Sequence, residues 1–437
     1  MVASVDLSSI IRKANVSGES VKDFVAEKWD VNLDDVQGLS MLLDEPAEIG
    51  LDWNAPLYVF QTVEGTTWFV AKVYDSDAFT LFLDVLNKKG YTTQVKEDEA
   101  GLSTSVFSGV ELFFDETTLL VSVPNAEGSS TSIRNTAKEL FRLEETVMFA
   151  GTDKYKQLMS KGADSDIAMF YKLRNQKGGL ELMSSLTMHE DEISLNLQVD
   201  NADGKIKDFI DDLNKNTSLL SDRFIDAAYA NPFLWMSMGI DGDFLLDFLK
   251  STPRLKTMLL ALGRGIDIDM MLKSIKGDVV VSLADKIPLN PRDNQSYPGL
   301  CFLSELETSD FLDDVDYWLT SMQDYGMSMD CLGNDRYVLK SPNATLAWGV
   351  QDGEMYMSTD KNFALDNKSG TAYLNEYRDV MSRNKFFAYV DLMAYEHDAL
   401  WRNYILQPCS LFNLGKPERL IVTSSTFTEY DVNLMFK

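Results

Sequence analysis

The chain has 437 residues, 45% of them hydrophobic, enough for more than one sizeable core, and its length suggests two or three domains. Its 68 Asp and Glu against 40 Lys and Arg leave a net charge of −28, which repels phosphate backbones and anionic lipid surfaces and makes nucleic acid a poor partner. No window approaches the ~18 uninterrupted apolar residues of a membrane-spanning helix, and the first residues lack the basic start and apolar middle of a signal peptide.

Val2 to Ala14 reads as a short strand followed by a short amphipathic helix, and Trp235 to Leu249 repeats that pattern loosely. Residues 15–56 and 250–277 differ most between the two halves. Both are rich in short helical patterns such as Leu255 to Leu262, and they are the places to expect function specific to one half. A strand follows in each half, at Leu57 to Gln61 and at Asp278 to Leu283.

The next stretch organises the reading. Trp68 to Val73 and Cys301 to Leu303 are continuous apolar runs that read as buried strands, each followed by a polar cap (Ser76-Asp77, Ser309-Asp310) and a helix. In the first helix Phe79, Phe82, Leu83 and Leu86 fall at i, i+3, i+4 and i+7; in the second Phe311, Val315, Trp318, Leu319 and Met322 make the equivalent face. Gly90 and Gly326 close them, as a left-handed cap requires, and the second helix is four residues longer, about one turn. Three strand-like runs follow in each half: Ser103 to Ser108, Val110 to Phe114 and Thr118 to Val123, then Arg336 to Lys340, Ala344 to Val350 and Glu354 to Ser358. Turns at Asp115-Glu116 and Asp352-Gly353 make the last two of each set hairpins.

Lys154 to Lys161 aligns without a gap on Glu376 to Arg383. Strands at Ile167 to Leu173 and Phe386 to Leu392 follow, and each half ends on a strand, Ile193 to Val199 or Tyr430 to Phe436. The expected fold is therefore α+β: two tandem homologous repeats, residues 1–202 and 231–437, each a mainly antiparallel sheet with helices on one face, joined by a helical linker over 203–230.

The search for chemistry returns absences, and no catalytic, cofactor-binding or metal-ligating residue is assigned. His189 and His397 each stand alone, and Cys301, Cys331 and Cys409 have no C-x-x-C partner and read as packing residues. A Cys301–Cys331 bridge cannot be argued from spacing. Gly263-Arg264-Gly265 lacks the Lys and third Gly of a phosphate cradle. Ser358-Thr359-Asp360-Lys361 fits S-x-x-K, and Lys368-Ser369-Gly370 resembles K-T-G, but the two start only ten residues apart, in one loop, which defeats the penicillin-binding reading. The acidic clusters Asp241/Asp243/Asp247, Asp267/Asp269 and Asp313/Asp314/Asp316 could offer oxygen ligands to calcium or a carboxylate pair to a glycoside; none fits an EF-hand loop, and helix capping and solvation explain them better. Trp68, Trp235, Trp318 and Trp348 lie in core patterns, whereas solvent exposure of Trp53, Trp348 and Trp401 would favour a sugar-stacking surface.

The opening VASVDLSSIIRKA, the D-x-x-x-F…GY helix unit and the internal echo together resemble a family of uncharacterised exported lipoproteins from Bacteroidetes, known only as a domain of unknown function. The resemblance implies a cell-envelope protein, periplasmic or anchored to the outer membrane, whose lipobox cysteine would precede the strand at Val2; this chain has neither leader nor lipobox cysteine, so Met1 would stand at a trimming point. It implies no catalytic residue. The functional expectation is a non-catalytic scaffold or binding module for a protein partner or a glycan, touching a membrane only through such an anchor. The alternatives are a carbohydrate-binding module and a carboxylate-dependent hydrolase.

Overall fold

The computed structural model describes residues 1–14, 46–62, 65–99, 101–107, 109–123, 130–143, 151–175, 178–227, 231–262, 266–287, 299–340, 345–360, 363, 374–411 and 414–437. Most of the 15–56 stretch, Gly263-Arg264-Gly265 and Lys368-Ser369-Gly370 lie outside these residues. Two compact units emerge. Unit 1 holds Met1–Ala202, Asn403–Lys416 and Phe436–Lys437; unit 2 holds Asp203–Arg402 and Pro417–Met435.

Unit 1 begins with β1 (Val2–Val5) and α1 (Leu7–Lys13), the helix capped by Asp6, whose carboxylate accepts the Ser9 amide. Then come β2 (Leu57–Gln61), β3 (Thr67–Lys72), α2 (Ser76–Lys88), β4 (Lys96–Glu97), β5 (Ser103–Phe107), β6 (Val110–Phe114) and β7 (Thr118–Val123). Helices α3 (Ser130–Phe141) and α4 (Asp153–Lys161) and the long strands β8 (Ile167–Asn175), β9 (Gly178–Met188) and β10 (Glu192–Ala202) complete it. All pairings are antiparallel, in the order β4-β5-β6-β7-β3-β2-β1-β8-β9-β10.

Helix α2 is capped by Asp75, one residue before the expected Ser76-Asp77, through its bonds from the Asp77 and Ala78 amides. It closes as read: Gly90 takes φ +83°, the Gly90 amide donates to Asn87 O and the Tyr91 amide to Leu86 O. Both faces of this sheet are covered. Phe113 and Phe114 are neighbours on β6 and so point to opposite sides. Phe113 joins Trp68 and the α3 residues Ile133 and Ala137, while Phe114 meets Phe79 of α2 edge-on at 5.0 Å.

Unit 2 runs α5 (Gly204–Lys215), β11 (Thr217–Ser218), β12 (Leu234–Asp241), α6 (Gly242–Ser251), α7 (Pro253–Leu262), α8 (Ile268–Lys273), β13 (Ile275–Leu283) and β14 (Leu300–Leu306). A 3-10 turn over Asp310–Asp314 leads into α9 (Val315–Ser321), a second turn over Met322–Tyr325 and strands β15 (Ser328–Gly333), β16 (Arg336–Lys340), β17 (Thr345–Gln351) and β18 (Glu354–Ser358). The short helix α10 (Arg378–Met381) precedes β19 (Phe386–Asp391), β20 (Pro417–Ser424) and β21 (Glu429–Phe436). The ladder order β15-β16-β17-β18-β14-β13-β12-β19-β20 follows the same pattern of pairing as in unit 1. Here too neighbouring residues serve two cores. Trp348 and Met355 face α6, α8 and α9, whereas Ala347 and Tyr356 face Phe224, Leu374 and Met381.

These facts correct the expectation of two tandem repeats, each with its own sheet and helices on one face. The 21 strands among the described residues belong to one antiparallel sheet, and Asn403–Lys416 and Phe436–Lys437 return to unit 1, so the second half is not a self-contained tandem copy. Helices cover both faces, which explains why β6 (VELFF) and β17 (TLAWGVQ) read as continuous apolar runs rather than alternating ones. Local periodicity identifies strands; it carries no signal for the edge along which a ladder continues.

Candidate binding cleft

A cleft of about 740 Å3 lies within unit 2 among α6, α7, α8 and α9. Its position follows from capping chemistry. Asp241 starts α6 by accepting the Asp243 and Phe244 amides, and Asp267 starts α8 by accepting the Met270 amide. Pro253 occupies the first position of α7, where its missing N–H costs nothing. Close contact between α6 and the end of α8 requires Gly242, because a Cβ there would stand 2.1 Å from the Leu272 carbonyl oxygen.

The floor is apolar and rigid. Trp318 is 2% exposed, stacks on Phe311 at 6.4 Å and leans on Trp348, which in turn stacks on Tyr337 at 4.5 Å and donates its indole N–H to Met329 Sδ. Leu259 is buried beside it, and Ile266 and Ile268 pack against the same core. The rim stands in water: Tyr317 is 71% exposed and Leu260 65%. Lys250 pairs with Asp269 across α6 and α8, while Lys256, Asp267 and Asp314 bring the remaining charge. Several residues of the 250–277 stretch thus line the cleft, but the helical pattern did not reveal Lys250, Lys256, Tyr317 or Ser321 as lining residues. Only spatial convergence brings them together.

The residues singled out for chemistry fall elsewhere or into structural roles. His189 and His397 are both exposed, and among the described residues no group of three or more His, Cys, Asp or Glu converges to hold a metal ion. Asp241 and Asp267 are caps, Asp243 lies 3.8 Å from Lys273, and Asp247, Asp313, Asp314 and Asp316 are exposed. Ser358 is buried at the end of β18, where its hydroxyl accepts the Asp360 amide. All three cysteines are free; Cys331 is exposed and burial pushes the Cys301 thiol up to about 12. Trp68, Trp235, Trp318 and Trp348 are core residues, and Trp53 and Trp401 are half-buried.

Two carboxyls in unit 2 escaped the sequence reading, Asp278 and Asp391, each raised by burial. Burial pushes the Asp278 carboxyl above its ordinary value, and Glu305 and Asp222 add repulsion, although the Ser221 amide and hydroxyl both donate to Asp278 Oδ2 at 2.9 and 2.8 Å. Its cavity, walled by Phe224, Trp235 and Met381, encloses only about 10 Å3, so it accommodates no sugar or peptide.

No helix among the described residues is long and apolar enough to cross a membrane. No curated protein matches the chain. Two solved structures overlap it weakly: crystal form III of TP0453, with 12% identity, a TM-score of 0.29 and coverage of 51% of this chain and 85% of that one, and crystal form IV of TP0453, with 10% identity, a TM-score of 0.27 and coverage of 45% and 76%. At these values neither informs the reading of this chain. Residues 1–395 match the family described as Domain of unknown function (DUF4836), and the chain belongs to that family.

Proposed function

We propose that this protein is a non-catalytic cell-envelope binding protein whose working surface is the α6–α9 cleft. The observation that carries the reading is the cleft itself, about 740 Å3 with a rigid aromatic floor and an exposed apolar rim, within the range of sites that hold ligands. The hydrolase alternative finds no support at Asp278, which burial lifts but which lacks room for a substrate; Asp391, also lifted by burial, lines a separate cleft beside Asp285 and Lys286. The glycan alternative loses support because Trp348, which should be exposed for sugar stacking, is 3% exposed in the core. Export rests on the resemblance drawn from the opening strand and helix and the D-x-x-x-F…GY unit. Fractionation of source cells with an antibody to the chain tests it, and recovery in the cytosolic fraction overturns it.

The test of the cleft is titration with a neutral apolar fluorophore, N-phenyl-1-naphthylamine, against the wild type and a Leu260→Asp variant. Leu260 is exposed enough that the substitution leaves the fold intact. Saturable enhancement in the wild type, reduced at least tenfold in affinity by the variant, is expected. Identical titrations overturn the assignment of the cleft.

A further inference from the structure

We infer that the occupant of the cleft is a cationic amphipathic helix supplied by a protein partner; this rests on the proposed binding role. Three observations converge on it. The first is extent. Tyr317 and Leu260, which both line the cleft, are 71% and 65% exposed. A small molecule seated in the cleft would leave this apolar ridge in water, whereas a helix lying in a groove between helices covers it.

The second observation is charge. Within the cleft the Lys250–Asp269 pair is internally neutral, which leaves Lys256 against Asp267 and Asp314. From the Asp310–Tyr325 segment Asp314 lines the cleft beside Tyr317, Trp318 and Ser321; the segment also carries Asp310, Asp313, Asp316 and Asp324 and contains no Lys or Arg. Asp313, Asp314 and Asp316 are exposed and make no side-chain cap at the start of α9, so their field points outward to whatever docks. The third observation removes a second copy of the chain as occupant, since two molecules carrying −28 each repel one another.

The experiment titrates the full chain with an amphipathic helical peptide of about 18 residues built from Leu and Lys, and with its Leu/Glu counterpart of identical apolar face. Binding is read by tryptophan fluorescence and by displacement of N-phenyl-1-naphthylamine. The Lys peptide should bind at least tenfold tighter than the Glu peptide, weaken several-fold as salt rises from about 0.05 to 0.5 M, and displace the fluorophore. A double variant Asp313→Lys/Asp314→Lys, on exposed positions with no capping bond, should lose that preference, and circular dichroism verifies that it is folded.

Equal binding of both peptides, or preference for the Glu peptide, overturns the charge assignment while leaving the cleft as a ligand site. Fluorophore binding that neither peptide displaces overturns the helical partner and again spares the cleft. Insensitivity of the fluorophore and both peptides to Leu260→Asp overturns both readings.

Discussion

Asp166 should be the single most costly surface-to-core tether in unit 1 to remove. It stands just before β8, 1% exposed, and each of its carboxylate oxygens is doubly engaged. Asp166 Oδ1 accepts from Ser9 Oγ at 2.7 Å and Lys13 Nζ at 2.8 Å, and Oδ2 accepts from Lys13 Nζ at 2.9 Å and the Met188 amide at 2.6 Å. These bonds fasten α1 to the β8–β9 ladder. Breaking a buried pair costs about 3–5 kcal/mol; here the Lys13 side chain is 32% exposed and its ammonium can reach water, so Asp166→Ala should cost about 2–4 kcal/mol. Asp166→Asn keeps an acceptor for Met188 and should cost roughly half as much.

The pH dependence is set by direction. Burial raises the Asp166 carboxyl, but Lys13, the Met188 amide and Ser9 outweigh it and hold the carboxyl below its ordinary value. The unfolded chain therefore binds the proton more readily, and the stabilisation is fully present above an unfolded value of about 4 and lost as pH falls through the folded one. Because two units need not unfold together, the assay is hydrogen exchange of the Met188 amide and the α1 amides, which isolates the local opening. A loss under about 0.5 kcal/mol in Asp166→Ala, or no coupling between Asp166→Ala and Lys13→Met in a double-mutant cycle, would refute the reasoning.

Three further outcomes are expected. Gly242→Ala should cost about 2–3 kcal/mol, because its Cβ would meet the Leu272 and Ile275 carbonyl oxygens at 2.1 and 2.7 Å and neither belongs to a movable side-chain end; an unchanged urea midpoint contradicts this. For Asp278 the sign reverses. Its folded carboxyl is raised, so the native state holds the proton more readily, and wild-type stability falls as pH rises from about 4 through that value. Asp278→Asn should therefore gain on the wild type between pH values of about 4 and 7, and a variant that loses ground over that interval rejects the assignment. Under native conditions a disulfide reagent should label exposed Cys331 rapidly and leave Cys301 unreacted until denaturant is added, since that thiol is buried and pushed up to about 12; rapid labelling of both contradicts the burial.

Much of this arrangement was legible locally. Strands such as Leu57–Gln61 and Val110–Phe114 and the glycine-closed helix ending at Gly90 appear where apolar runs and a left-handed cap placed them. Strand β9, eleven residues with six serines, threonines, glycines and a glutamate among its side chains, escaped because its apolar alternation is weak, and its identity comes from antiparallel partners on both sides, β8 and β10. Strand β20 was missed too; each of its residues Arg419–Ser424 pairs with β19, a partner 28 to 38 residues earlier that a local window does not see. The cleft was legible only as a region, because Leu259 and Trp318 come from segments that no periodicity links.

The two strand–helix–glycine segments show how a small sequence difference becomes a surface. Both end identically in geometry: Gly326 takes φ +70°, its amide donates to Gln323 O and the Met327 amide to Met322 O, as at Gly90. Between cap and end they diverge. α2 is a continuous thirteen-residue helix started by the Asp75 carboxylate, whereas the extra turn in the second segment does not extend a helix but splits it into a 3-10 turn, the seven-residue α9 and another 3-10 turn. Asp310, Asp313 and Asp314 crowd its first turn, where short carboxylate side chains compete with helical backbone bonds, and neither Ser309 nor Asp314 makes a side-chain cap. The apolar face survives the interruption, since Phe311, Val315, Trp318 and Met322 all remain buried, but the helix is too short to shield what lies beside it. Tyr317 is left outside the core next to buried Trp318, and the acidic turn stands as a wall over an apolar floor. Restoring a regular helix there, by replacing Asp313 and Asp314 with Ala, should raise the helicity of the segment while weakening a cationic ligand in the cleft, and a gain in helicity without that loss would separate the wall's shape from its charge.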